Sequence, residues 1–313
     1  MAETITSSST EQNTTSSASR PAGQVIADLE QQRRQADQRT RPEVEAHRRQ
    51  VRETAENTLD TEAIAAVQQT ERALNAIAEG RMEEALAAIE QATGKVNVLL
   101  SRNPATALIP VSVQVNVIDT APDNLADVVV LRDAAEVAVD INDLPGARTL
   151  LDSLRSEIRV RFYHIPLATY PDALQEAARL LDQKRTDEAG ALLLVALNTL
   201  AIIDQVTPLP TLLARQAVNA AQALAQKDKD AAQRLLEFAQ HELERGMELG
   251  YARGDEDYLA SLEDIKKLRK QLKANEDTTS PFPKLKEKLA ALVHRQPKKR
   301  IQPSEQEQPR KAA

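Results

Sequence analysis

"AARLLDQKRTDEAGALLLVAL", residues 177–197, decides the fold. Its first half repeats Ala177, Leu180 and Leu181 at helical spacing, Gln183 to Thr186 interrupts with polar side chains, and Ala189, Leu192 and Leu193 restart the period. Two antiparallel helices joined by a tight turn satisfy that pattern. The same unit occurs three more times: "ALNAIAEGRMEEALAAIEQA" from Ala73, "AAEVAVDINDLPGARTLLDSL" from Ala134, and "AVNAAQALAQKDKDAAQRLLEFA" from Ala217. Aligned on Ala85, Ala147, Ala189 and Ala232, the units are 62, 42 and 43 residues apart. A small residue at one helix position lets the two helices approach closely, and the leucines one turn later fill the space between units. Four α-hairpins are predicted.

The first interval is the longest, and the surplus holds "ALIPVSVQVNVIDT", residues 107–120. Val111, Val113, Val115 and Val117 alternate there with Ser112, Gln114 and Asn116, and Pro110 forbids a helical approach. A second alternating run places Ile158, Val160 and Phe162 against Arg159, Arg161 and Tyr163. An isolated strand leaves its backbone polar groups unmet, so residues 111–118 and 157–164 are expected to pair. Val113 and Val115 should then bury one face against helices, and Ser112 and Gln114 should face outward or toward polar neighbours. The second strand runs into "YHIPLATYP", residues 163–171, where Pro166 ends the ladder and Pro171 opens the next helix.

Composition bounds the rest. The 313 residues are 42% hydrophobic, mostly aliphatic, with eight glycines, seven aromatics and no tryptophan, which favours a mainly α protein. A net charge of -7 disfavours nonspecific attraction to nucleic acid, and no segment reaches the apolar length of a membrane span. With no cysteine there is no disulfide, thiolate metal site or cysteine nucleophile. The Ser/Thr-rich residues 1–23 lack the apolar content to order and do not look like a secretion signal, so a cytoplasmic location is expected. Residues 24–59 form a charged helical arm, broken near Pro42 and read as solvated. Residues 60–275 carry the hairpins and one further helix from Asp255 to Ala274. Residues 276–313 hold a short helix, Lys284 to His294, and a polar tail with Lys298, Lys299 and Arg300.

Chemistry is sparse. His47, His164, His241 and His294 share no metal-ligand spacing, and "HELER" from His241 lacks the second histidine that a zinc-binding helix requires. No glycine-rich phosphate loop is present, and paired carboxylates such as Glu83 and Glu84 sit beside turns. No catalytic residue, metal site or cofactor is therefore assigned. The "YHIPLATYP" corner can be a structural junction or a ligand pocket. Its candidate ligand-binding residues are Tyr163, His164 and Tyr170, with His164 on the face of Ile158, Val160 and Phe162.

The order "ATGKVNVLLSRNPATALIPVSVQVNVIDT", "LPGARTLLDSLRSEIRV", "HIPLATYPDALQEAARLLDQKRTDEAGALLLVALNTL" and "VTPLP" resembles the bacterial YfdX family over about residues 62–250, with "PVSVQV" and "IPLATYP" the most specific pieces. The resemblance implies a mainly helical fold with a small β element and an association with stress and acid response, and it brings no catalytic residues. It also makes the periplasm the alternative location. The expectation is a mainly α protein of repeated antiparallel α-hairpins with a small two-stranded β insert. It would be non-enzymatic, binding itself as a homo-oligomer or another protein, without nucleic acid. The alternative is a small-molecule pocket near Tyr163 to Pro171.

Overall fold

The computed structural model describes residues 42–294, apart from 253 and 279. The expectations for residues 1–23, for the arm before residue 42 and for the Lys298 to Arg300 tail lie outside the described residues.

All four predicted hairpins form. They are α2 (Thr61–Ala78) with α3 (Met82–Arg102), α4 (Leu125–Asp140) with α5 (Leu144–Asp152), α6 (Tyr170–Asp182) with α7 (Thr186–Asn198), and α8 (Leu209–Leu224) with α9 (Lys229–Glu248). Helix α1 (Pro42–Glu56) precedes them, and α10 (Glu256–Lys273) and α11 (Pro281–His294) follow. The alignment alanines Ala85, Ala147, Ala189 and Ala232 are all buried, as close helix approach requires.

The first three hairpins turn by a shared device. Gly80, Asn142 and Lys184 each adopt a left-handed conformation (φ 77°, 60° and 61°) one residue past the helix cap. The next amide then reaches back across the last turn, from Arg81 to Ala76, Asp143 to Ala138 and Arg185 to Leu180, at 2.8, 2.8 and 2.9 Å. Within the hairpins, the starts of α2, α5 and α9 are capped by acidic side chains. Asp60 accepts from the amides of Glu62 and Ala63, Asp143 from Gly146, and Asp228 from Ala231.

Hairpins do not stack in sequence order. The first packs on the third to form one apolar core, and the fourth makes a second core with α10 and α11. Between them lies an antiparallel sheet, β1 (Leu108–Asp119), β2 (Ser156–Pro166) and β3 (Ala201–Pro208), with β2 central. The expected pair is present, with Val113 opposite Phe162 and Val115 opposite Val160. The third strand was not expected. It pairs Ile203 with Phe162 and Ala201 with His164.

Two further expectations change. The valines of β1 do not share one face, because the register shifts between Pro110 and Ser112. Val111 joins Ile109 and Ile165 in the first core, Val113 and Val115 pack with Ile158, Val160 and Phe162, and Val117 is exposed. Nor is α1 merely solvated. It buries Val44, His47 and Ala55, with Val44 and Ala55 in the cluster formed by the sheet and the start of α8.

A candidate ligand cleft between helix α1 and the sheet

Alternation along β2 sends Phe162 and His164 to the side covered by α1, and Tyr163 to the other. Beneath α1 this leaves a cleft of about 500 Å³. Its apolar walls include Val51, Ala55, Val160, Phe162 and Ile203, with Val293 of α11 at one side. Polar groups come from His47, Gln50, Thr54 and Thr58 on or just after α1, and from His164, Gln205 and Thr207 on the sheet.

The His164 ring lies 6.0 Å from the Phe162 ring, centroid to centroid, and its Nδ1 is 3.4 Å from the Ala201 carbonyl oxygen across the β2–β3 pair. A carbonyl only accepts, so in this contact Nδ1 is the donor, which leaves Nε2 directed away from it. His47 lines the same cleft from the helix side and is itself largely buried.

The three residues singled out in the sequence are therefore not brought together. Tyr163 packs beside the first core, and its hydroxyl donates to Gln114 Oε1 at 3.3 Å. Tyr170 is buried inside that core and donates to Thr70 Oγ1 at 2.9 Å, while Thr70 donates to the Ala66 carbonyl at 2.8 Å. Burial pushes the Tyr170 phenol up to about 12 despite the opposing Thr70 bond. Only His164 faces the cleft. The corner is a structural junction on one side of the strand and part of a pocket wall on the other. Sequence reasoning missed His47, although Val44, His47, Val51 and Ala55 follow a helical stripe.

A second polar constellation was also missed. Arg245 of α9 is fully buried, donating from Nε to the Pro122 carbonyl (2.8 Å) and from Nη2 to the Ala121 carbonyl (3.0 Å) and Asp119 Oδ1 (3.4 Å). Its Nη1 donates to the buried Glu242 at 3.3 Å. Asp119 also accepts from Ser156 Oγ at 2.7 Å, and His241 Nε2 lies 3.0 Å from the Asp123 carbonyl oxygen. Beside it, Tyr251 donates to Glu157 at 3.1 Å and accepts from the Ser156 amide at 3.0 Å. Burial first, and the adjacent Glu157 carboxylate second, push the Tyr251 phenol above the usual range. These groups satisfy one another and fasten the β1–α4 connection to α9, so they are a joint rather than a reactive site. Among the described residues, no cluster of three or more His, Asp or Glu could hold a metal ion.

The YfdX protein family model matches residues 66–206. Those residues belong to the YfdX family. The YfdX span runs from within α2 to within β3, so it includes His164 and most of the sheet. It excludes α1, hence His47 and the roof of the cleft. A solved crystal structure of Salmonella Typhi YfdX is 16% identical and matches over 47% of this chain and 91% of that one, with a TM-score of 0.33. No curated protein matches the chain. No helix among the described residues is long and apolar enough to cross a membrane.

Proposed function

We propose that this chain is a non-enzymatic binding protein whose cleft between α1 and the sheet takes a small, largely apolar molecule. The cleft carries the reading. Its volume of about 500 Å³ falls in the usual range for small-molecule sites, roughly 300–1,000 Å³. Its described walls mix aliphatic and aromatic side chains with nearly as many neutral polar groups able to orient a ligand. Among the described residues its lining offers two imidazoles, three threonines and two glutamines, neutral groups able to hydrogen-bond a ligand. The stress association implied by the YfdX resemblance supplies the setting.

The test is a melting-temperature screen against small apolar compounds, run on the native chain and on Ala55→Phe, which fills the cleft from α1. Compounds that raise the melting temperature of the native chain should lose that effect in the variant. Equal shifts in both proteins would place binding elsewhere and defeat the reading.

Self-association is a second reading, favoured by exposed apolar side chains on the second hairpin, Val137 (58%), Ile141 (70%), Leu144 (53%) and Leu151 (55%). Sedimentation showing a monomer throughout the micromolar range would exclude it.

A further inference from the structure

The second hairpin stands apart from the two helical cores. The first and third hairpins pack on each other and the fourth packs with α10 and α11, whereas the second meets the rest of the protein chiefly through α4 against α9. Helix α4 carries two apolar rows. Val128, Leu131, Ala135 and Ala138 are buried. About a third of a turn away, Val130, Ala134, Val137 and Ile141 form a second row at spacings of four, three and four residues, the seam along which one α-helix packs on another. This second row faces outward. Val130 and Ala134 are half-buried, and Val137 and Ile141 are more than half exposed, as are Leu144 and Leu151 of α5. A contiguous exposed apolar row marks a place where a partner docks.

Beside the seam runs an acidic row, Asp133, Glu136 and Asp140, all exposed and each three or four residues from the next. Arg132 answers one end of it, bonding Asp133 at 3.1 Å while its other terminal nitrogen reaches Glu248 of α9. Glu136 and Asp140 lie nearer the tip, level with Val137 and Ile141, and Asp143 adds a carboxylate at the turn. Against these the tip sets one exposed cation among the described residues, Arg148 of α5.

We infer that the outer face of α4 is a docking surface for a basic amphipathic helix of another protein. The apolar stripe of that helix lies along Val130, Ala134, Val137 and Ile141, and its lysines or arginines, three or four residues apart, meet Asp133, Glu136 and Asp140. The inference is independent of the cleft. Charge decides the occupant. Opposite rows steer the partner and fix its register, while the apolar anchors hold it. A second copy packed antiparallel on α4 sets the acidic row against itself, and like charges at that spacing repel.

Three synthetic peptides of about 18 residues, long enough to be helical on a surface, serve as probes. One carries leucines at four-three-four spacing flanked by lysines, one the same leucines flanked by glutamates, and one the lysines with glutamines in place of the leucines. Fluorescence anisotropy at low and high salt measures their binding to the full chain. The lysine–leucine peptide should bind at least about tenfold more tightly than either of the others, and more weakly at high salt. Val137→Ser with Ile141→Ser should weaken it by about tenfold or more. Glu136→Lys with Asp140→Lys should transfer the preference to the glutamate peptide, and Ala55→Phe, which fills the cleft, should change nothing. All four substituted positions on the α4 face are exposed, so circular dichroism and melting temperature should match the parent. Should either pair unfold the chain, the order of the three peptides on the native protein decides alone. Equal binding of the lysine and glutamate peptides, lysine-peptide binding that both folded variants leave unchanged, or failure of that peptide to bind would overturn the inference. Sedimentation showing a native dimer that the serine pair dissolves would overturn it too, by giving the face to a second copy.

Discussion

Replacing Arg245 by methionine isolates the joint beneath the β1–α4 connection. Methionine has comparable length and fills most of the vacated volume, so the cavity contribution is small and the polar one dominates. The change deletes the donors to the Pro122 and Ala121 carbonyls and the charge partner of Glu242, all at a position with no solvent exposure. Each carbonyl left without a donor costs about 1–3 kcal/mol, but the costs overlap, and removing one member of a buried ion pair is about 3–5 kcal/mol in total. In urea, with a slope of about 3 kcal/mol per molar, the unfolding midpoint should fall by about 1 M or more. Arg245→Lys keeps the charge, but one ammonium cannot reproduce a planar fork aimed at two carbonyls and two carboxylates, so it should recover only part of the loss. Unfolding followed by circular dichroism checks this. A methionine variant within about 0.5 kcal/mol of the parent would mean that the guanidinium does not hold the joint, and the reasoning would fail.

Lys184 occupies a left-handed turn that Gly80 occupies in the first hairpin, so Lys184→Gly should stabilise the protein by about 1 kcal/mol, seen as a melting-temperature rise of about 2–4 °C; no rise would contradict the turn geometry. Tyr170 holds its proton more tightly folded than unfolded. Its contribution is complete below about pH 10 and lost as pH rises toward about 12, with a limiting slope of about 1.4 kcal/mol per pH unit. Tyr170→Phe should start about 1 kcal/mol less stable, through loss of the Thr70 bond, and decline less steeply; equal slopes in urea unfolding at pH 9, 10 and 11 would refute the assignment.

The hairpins were legible because each carries several agreeing signals: a small residue at the close-approach position, leucines one turn on, and in most cases an acidic cap such as Asp60, Asp143 or Asp228. The first two strands were legible from alternation. β3 was not, because its eight residues place Ile202 and Ile203 side by side, both substantially exposed, and break the period of two. The shift at Val111 was hidden for a related reason. A bulge adds one residue without changing composition, and the valines on either side of it then point to different cores. The cleft was half visible. His164 could be placed from its strand, and the same alternation already sent Tyr163 to the far face, but charge density masked the apolar stripe of α1 that carries His47. Arg245 and Glu242 looked like surface residues because their partners are backbone carbonyls and side chains more than 100 residues away in the chain, or one helical turn along it.

The sheet joins strands that are distant in sequence, with a complete hairpin between β1 and β2 and another between β2 and β3. Each hairpin closes through contacts only a few tens of residues apart, whereas the strands must find one another across the hairpins they flank. Local contacts form fast and long-range pairing forms late, since the chain's freedom must be given up before the pairing repays it. The helices can thus be in place before the floor of the cleft exists, and the cleft that α1 roofs lacks one wall until β3 has zipped onto β2. Ligand binding would then report on the last stage of folding, and a ligand present during folding would favour the fully zipped chain over a helical precursor that lacks the pocket.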